Sequence, residues 1–151
     1  MVQPFVVDTS ILIQGYIEDV HTPQAQSLLY SALGAEPTPT LYVTEFCVLE
    51  CTNILWKRAL FHNKPTEEVT QTLLNLLAFP LVVHLLVDLL PRSLAGGIAH
   101  RLTICDAIRI ALAEQLARPL ITDNERQTNA ALAVGLALKP ITDFPAFTQQ
   151  K

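Results

Sequence analysis

The sequence of 151 residues predicts one α/β domain, residues 1–151, in which helices cover both faces of a mainly parallel sheet of four to five short strands. Two observations support this three-layer α/β/α arrangement. Short runs of aliphatic residues alternate with helical stretches of about ten residues or more, as right-handed crossovers between parallel strands require. Half of the residues are hydrophobic and only 16% are charged, so most helices should be covered on more than one side.

Hydrophobic periodicity and turn residues predict the order of the elements. This order is a strand at 4–8, a helix from 9, a loop at 34–40, a very short strand at 41–43, a helix at 44–62, a helix from 65 that Pro80 closes, a buried strand at 81–87, helices at 90–100 and 103–117, a strand at 119–122, a helix at 123–134 and a last short strand at 138–142. Thr44 is a typical N-cap, and Gly135 is a typical residue after a helix end.

Two acidic segments follow predicted strands. Asp8 ends the first strand, and Thr122-Asp123 ends the strand at 119–122. Because ligands of parallel α/β sheets bind beyond the carboxyl ends of the strands, where the chain order reverses, a crevice is expected there.

Glu50 is the most informative acidic residue. Its neighbours one helical turn away, Phe46, Cys47 and Ile54 among them, form a mainly apolar face that should point inward. An unpaired buried carboxylate is strongly unfavourable, so Glu50 needs a cation, a metal, strong donors or a proton. The structural alternative is a surface glutamate, alone or paired with Lys57.

The other acidic candidates have structural alternatives as well. Asp8 is a good N-cap for the helix that follows it, and Thr103 with Asp106 makes a capping box. Asp106 is therefore as well explained by a cap as by a ligand. What favours a site is that a parallel sheet gathers Asp8, Glu50, Asp106 and the segment 122–125 at one edge. Independent helix caps would not explain Glu50.

The segment 122–125 is also ambiguous. Thr122 and Glu125 form a second possible capping box, while Asp123 and Asn124 point at the crevice, and either is a candidate fourth ligand. Oxygen ligands without histidine or cysteine suit Mg²⁺ or Mn²⁺. Such ions support phosphodiester hydrolysis, since they polarise the phosphoryl oxygen, activate water and stabilise the leaving oxygen. No protein nucleophile is required.

Three segments together resemble the PIN-domain nucleases, and particularly the toxin component of VapBC-type toxin-antitoxin pairs. These segments are VVDTSIL at 6–12, ECTNILWK at 50–57 and LTICDAIRIALAEQLARPLIT at 102–122. The resemblance implies a metal-dependent endoribonuclease with a PIN-like fold. It further implies an RNA substrate, a homodimer and an antitoxin that blocks the cleft.

By this resemblance the metal ligands for Mg²⁺ or Mn²⁺ are Asp8, Glu50 and Asp106, and the hydroxyls of Thr9 and Thr122 order the ligands and bound water. The complete catalytic set adds the positions Asp123 and Asn124. The family usually has an aspartate where this chain has Asn124, and a neutral side chain there weakens a second metal site.

Composition limits the alternatives. The net charge of −4 gives no whole-molecule attraction for RNA, so phosphate contacts must be local, and Arg109 and Arg126 are expected to flank the crevice. The odd number of cysteines and their separation from the histidines disfavour zinc and favour core thiols. No clean apolar run of about 20 residues and no basic leader are present, so a cytoplasmic protein without a membrane segment is expected.

Two competing functions are compatible with the same residues. The first is a catalytically silent PIN-like domain that binds RNA or a protein partner, favoured by Asn124 and the low positive charge. The second is a phosphatase that uses Asp8 as nucleophile, which is disfavoured because Ser10 stands where such enzymes need a second aspartate. Apolar residues at 28–33 and 73–77 are either a dimer face or core.

Overall fold

Four parallel strands form one sheet in the part of the chain that the computed structural model describes, residues 3–35 and 38–148. The elements are β1 (Phe5–Val7), α1 (Thr9–Gln14), α2 (Thr22–Ser31), β2 (Leu41–Thr44), α3 (Glu45–Phe61), α4 (Thr66–Ala78), β3 (Val82–His84), α5 (Leu86–His100), α6 (Ile104–Leu116), β4 (Leu120–Ile121), α7 (Glu125–Ala133) and a 3₁₀ turn (Ile141–Asp143).

The strand order β3-β2-β1-β4 places β1 inside the sheet, between β2 and β4. Val6 pairs with Tyr42 of β2 on one side and with Leu120 of β4 on the other. The chain moves outward from β1 to β3 and then returns to β4, so its order reverses between β1 and β4. The carboxyl ends of these two strands lead directly into Asp8 and Thr122, as the sequence predicts.

The sheet has a separate hydrophobic core on each face. Phe5 and Val7 point into a cluster with α1, α2 and α3, whereas Val6, between them, points into a cluster with α5 and α6. This alternation follows from the period of two in a strand. The predicted three-layer α/β/α fold is confirmed.

Helix α6 is buried along most of its length. Every residue from 106 to 113 has less than a tenth of its surface exposed, including Asp106 and Arg109. Helix α5 covers one side of it through Leu89, Ser93 and Gly97, and a Cβ at Gly97 would lie 3.1 Å from the carbonyl oxygen of Leu102. Leu89 lies in one core cluster with Ile108 and Leu112, so the side of α6 that faces α5 is apolar and buried.

Two expected strands differ from the structure. The run 81–87 forms a strand only at Val82–His84, and it is not buried: Val82 and Val83 are exposed by 42% and 46%. β3 is an edge strand that pairs only with β2, and α5 begins at Leu86 rather than at residue 90. In the run 138–142, Leu138 makes a single parallel bridge to Leu120 and the rest turns into the 3₁₀ turn.

The apolar runs 28–33 and 73–77 contribute both to the core and to the surface. Leu28, Leu29 and Leu76 are buried, whereas Tyr30, Leu33, Leu74 and Leu77 are more than half exposed. In the predicted loop at 34–40, residues 36 and 37 lie outside the described residues. No helix in the described ranges is both long and apolar enough to cross a membrane.

Candidate active site

Asp8 lies at the carboxyl end of β1 and is almost fully buried. Its Oδ1 accepts a hydrogen bond from the backbone N–H of Thr9 at 2.8 Å, so it caps α1 as the sequence suggests. Its Oδ2 accepts from the hydroxyls of Thr122 at 2.7 Å and Ser10 at 3.1 Å. The capping role and a role in the site are therefore compatible, because the two oxygens face different partners.

Glu50 projects from α3 toward the same point. The Thr9 hydroxyl donates to its Oε1 at 2.8 Å, and its side chain keeps 35% of its surface exposed. The carboxylate forms an ion pair with Arg109 rather than with Lys57. The expected inward direction is confirmed, although Glu50 lies at the rim of the core and not within it.

Arg109 is the cation that Asp8 and Glu50 share. Its Nε forms an ion pair with Asp8 Oδ1, and its second terminal nitrogen forms one with Glu50 Oε1. That same nitrogen also donates to the Thr9 hydroxyl at 3.1 Å. With 5% of its surface exposed, Arg109 does not flank the crevice mouth as expected. Arg109 lies in the protein interior, because neighbouring elements bury α6 from residue 106 to residue 113.

Asp106 lies one turn before Arg109 on α6, but its carboxylate has other partners. The Thr103 hydroxyl donates to Oδ2 at 3.0 Å, while the same hydroxyl oxygen accepts the Asp106 N–H at 3.3 Å, so the capping interaction is present. Arg126 Nε lies 3.1 Å from Oδ2. The side chain of Arg126 is 70% exposed and lies at the surface near the site, as expected.

Asp123 is held in a second group of polar residues beside the site. His21 Nδ1 and Gln14 Nε2 each lie 2.9 Å from its Oδ2. The Asp123 N–H donates to the Ser10 hydroxyl at 2.9 Å, and this hydroxyl also donates to Asp8. Asp123 is thereby linked to Asp8 through Ser10, while its carboxylate is turned toward α1 and His21.

Asn124 caps α7. Its side-chain oxygen accepts the N–H of Gln127 at 3.3 Å, whereas the Thr122 hydroxyl accepts the N–H of Asn124 at 3.1 Å. The expected capping box between Thr122 and Glu125 is therefore wrong, since the helix begins two residues later than that box requires. The amide of Asn124 is engaged in the cap and not with Asp8.

Two thiols lie behind the site on the inner face of α3. Cys47 and Cys51 are both buried, as expected for core thiols. The hydrogen bond between them is the largest cause that raises the pKa of Cys51, and burial is the second. Nearby, burial raises the pKa of Tyr16 to about 12, with smaller contributions from Cys51 and Tyr30. Cys51 and Tyr16 therefore stay protonated at neutral pH, whereas the hydrogen bond with Cys51 lowers the pKa of Cys47.

The donor chemistry of the site fits a hard divalent cation. Asp8 and Glu50 converge on one positive group, so they lie close enough to share a cation, and their two charges exceed that of Arg109 by one. In residues 3–35 and 38–148, no three acidic, histidine or cysteine side chains are grouped to hold a metal ion. The Asp106 carboxylate is paired with Arg126 instead.

Sequence reasoning missed several polar residues that complete this arrangement. Ser10 and Gln14 lie on α1, one turn apart, and Gln14 donates to the Ser10 carbonyl oxygen at 2.8 Å. Gln127 on α7 donates to the Asp106 carbonyl oxygen at 3.0 Å and is almost fully buried. A polar side chain on an otherwise apolar helix face is the sequence feature that could have identified these residues. The pattern of acidic residues does not reveal it.

The sequence and the fold agree with a known family. A model of the PIN domain matches residues 5–132, and the chain therefore belongs to the PIN domain family. The match includes both strands that border the crevice and all the acidic candidates. The family resemblance inferred from the three sequence segments is confirmed.

Individual relatives include ribonucleases and toxins. Ribonuclease VapC3 of Pyrobaculum aerophilum is 29% identical over 119 residues, which cover 78% of this chain and 86% of the relative. The structure of VapC20 of Mycobacterium tuberculosis, a sarcin-ricin loop cleaving toxin, matches with a TM-score of 0.62 at 16% identity, covering 88% of this chain and 96% of that one. A toxin-antitoxin complex from Klebsiella pneumoniae gives a TM-score of 0.60 at 20% identity, covering 89% and 95%.

Proposed function

We propose that this protein is a metal-dependent endoribonuclease and the toxin of a type II toxin-antitoxin pair. The observation that carries the proposal is the convergence of Asp8 and Glu50 on one cationic position at the carboxyl ends of β1 and β4. Membership of the PIN domain family and the similarity to Ribonuclease VapC3 support RNA as the substrate.

In this proposal Asp8, Glu50 and Asp106 are the ligands of one Mg²⁺ or Mn²⁺ ion, and Asp106 must exchange Arg126 for the ion. When bound, the ion supplies charge to polarise the scissile phosphate and to lower the pKa of an attacking water. Thr9 and Thr122 fix the carboxylate oxygens through hydrogen bonds of 2.8 Å and 2.7 Å. A ligand held by such partners loses less entropy on binding.

The remaining polar residues have supporting tasks. Arg126 is exposed at the edge of the site and is free to turn from Asp106 to an RNA phosphate. Asp123 keeps the turn after β4 fixed to α1 through His21 and Gln14, and Asn124 keeps the start of α7 in place. Neither residue acts as a fourth ligand in this proposal, which therefore uses one metal ion.

The antitoxin is proposed to block the crevice and, with a further segment, to occupy an apolar groove of about 320 Å³ between α2 and the end of α4. Tyr30, Leu33 and Phe79 are among the residues that line it, and the first two are more than half exposed. The similarity to a toxin-antitoxin complex supports an antitoxin as the occupant. Leu33→Asp should weaken binding of the proposed antitoxin, whereas Leu132→Asp, at an exposed position on α7, should not. Equal weakening by both substitutions would refute this assignment.

A homodimer is proposed through the outer face of α5. Val87, Leu90, Leu94 and Ile98 form an exposed apolar stripe along this helix, beside the buried face of Leu89, Ser93 and Gly97 that packs on α6. A helix that is apolar on two faces is expected to be covered on both. In sedimentation equilibrium, Leu94→Glu should convert a dimer to a monomer, and a wild-type monomer would refute the proposal.

The experiment that tests the nuclease proposal is cleavage of a mixed set of structured RNAs in Mn²⁺, Mg²⁺ or EDTA. Asp8→Asn and Asp106→Asn should abolish cleavage and keep the fold. Glu114→Gln is the matched control, since it removes an exposed carboxylate from the same helix as Asp106. Cleavage in EDTA, or full activity of both Asn variants, would refute the proposal.

The silent binding domain is the second candidate. It is favoured by one observation, the guanidinium of Arg109 between Asp8 and Glu50, because a fixed internal cation leaves no need for a metal. Thermal denaturation separates the two candidates. A metal site predicts that Mn²⁺ raises the melting temperature of the wild type, and a silent domain predicts no change.

A further inference from the structure

Arg109 uses nearly all of its hydrogen-bonding capacity inside the protein. Besides Asp8, Glu50 and Thr9, its first terminal nitrogen donates to the Cys105 carbonyl oxygen at 3.1 Å and lies 3.5 Å from the side-chain oxygen of Gln127. Its guanidinium carbon lies 5.6 Å from the centre of the Phe46 ring. A buried arginine with these partners belongs to the interior of the site and is not a surface group that binds phosphate.

Four groups surround the Asp8 carboxylate. An ionised carboxylate offers about four acceptor positions, two on each oxygen. Here the Thr9 N–H and the hydroxyls of Ser10 and Thr122 fill three of them by hydrogen bonds. Arg109 Nε lies against Oδ1 as an ion pair without forming a hydrogen bond, so a divalent ion that approaches Oδ1 must compete with this charge.

Of these four partners, Arg109 is the one that a metal ion must oppose. The hydroxyls are neutral and can rotate, and the Thr9 N–H belongs to the first turn of α1. A divalent cation between Asp8 and Glu50 would lie within a few ångströms of the guanidinium, where like charges repel strongly in a poorly solvated site. Two positive groups cannot share these carboxylates at the same position.

We propose that Arg109 is a built-in counter-ion, a positioning residue that holds Asp8 and Glu50 together without metal and competes with the divalent ion for them. This inference rests on the proposed metal site. The contacts of its first terminal nitrogen and the Phe46 ring do not involve the acids, so they can retain the side chain after it leaves them. Arg109 thus keeps the metal-free site ordered and lowers its affinity for metal.

The test is the affinity for Mn²⁺, measured by isothermal titration on the metal-free wild type, Arg109→Met and Arg118→Met. Arg118 is exposed beyond the end of α6, so its variant is matched for charge. Loss of the competing charge should tighten Mn²⁺ binding by about tenfold or more in Arg109→Met, and Arg118→Met should bind as the wild type does. Equal or weaker binding by Arg109→Met overturns the inference and leaves the metal site standing.

A second measurement uses only the wild type, so it does not depend on whether a variant folds. The Nε–Hε signal of Arg109 in the ¹⁵N-labelled wild type should be protected from solvent exchange in EDTA and should shift as Mg²⁺ is added. The exposed Arg118 gives the reference signal. An unmoved Arg109 signal, at Mg²⁺ concentrations that shift the Asp8 and Thr9 amides, overturns the inference alone. If no signal near the site moves and Mn²⁺ does not bind, the proposed metal site falls together with the inference.

Discussion

Glu50→Gln removes one negative charge from the site and leaves the shape of the side chain nearly unchanged. The Thr9 hydroxyl can still donate to the amide oxygen, but Arg109 loses a charged acceptor. Hydrogen bonds to charged groups stabilise by about 1.5–3 kcal/mol and neutral ones by about 0.5–1.5 kcal/mol, a difference of about 1 kcal/mol. Solvent screening reduces this difference, because 35% of the side chain is exposed.

The loss is offset in part, because the substitution also removes the repulsion between Glu50 and Asp8. We therefore expect the free energy of unfolding of the metal-free protein to fall by less than about 1 kcal/mol, or about 2–4 °C in melting temperature. Urea denaturation in EDTA measures the change, with Glu114→Gln as the control. A loss above about 3 kcal/mol would show that Glu50 anchors the fold, and retained RNA cleavage in Mn²⁺ would show that it is not a ligand.

Three further substitutions test individual contacts. Arg109→Met leaves Asp8 and Glu50 without their cation and should lower the free energy of unfolding in EDTA by about 3–5 kcal/mol; a change below about 1 kcal/mol would contradict the ion pairs. Thr103→Ala should lower it by about 1 kcal/mol through loss of the α6 cap, and Thr103→Ser should restore it. Burial raises the pKa of Tyr16 from 10.0 to about 12, so the stability it contributes is present below pH 10 and lost as the pH rises through 12. Between pH 10 and pH 12 the urea midpoint of the wild type should fall with pH more steeply than that of Tyr16→Phe. The same pH dependence in both proteins would contradict the raised pKa of Tyr16.

Local signals predicted most of the fold correctly. Thr44 and Thr103 mark the starts of α3 and α6 because each hydroxyl accepts an N–H three residues ahead, a contact that needs no tertiary partner. The prediction of a buried strand at 81–87 is wrong, because an apolar run gives no information on whether its strand lies inside a sheet or at its edge. That outcome depends on β2, which is about 40 residues away in the chain.

The acidic residues of the site could be predicted from the sequence, but their ion pairs with Arg109 could not. Asp8 follows a strand and Glu50 interrupts an apolar face, and both facts are local. The place of Arg109 depends on how α6 packs, because spacing from Asp106 gives the helical turn but not the direction of the neighbouring elements. A charged residue within a helix that is apolar on all sides was the available signal. The contact between His21 and Asp123 joins residues 102 positions apart and has no local signature.

The most direct test of the account is the chemistry of the RNA ends after cleavage. If Asp8, Glu50 and Asp106 hold a metal ion that activates water, cleavage in Mn²⁺ should leave 5′-phosphate and 3′-hydroxyl ends and should disappear in EDTA and in Asp8→Asn. Products with 2′,3′-cyclic phosphate would show attack by the ribose hydroxyl in place of water. Such ends, or cleavage that persists in EDTA, would contradict the metal-dependent mechanism.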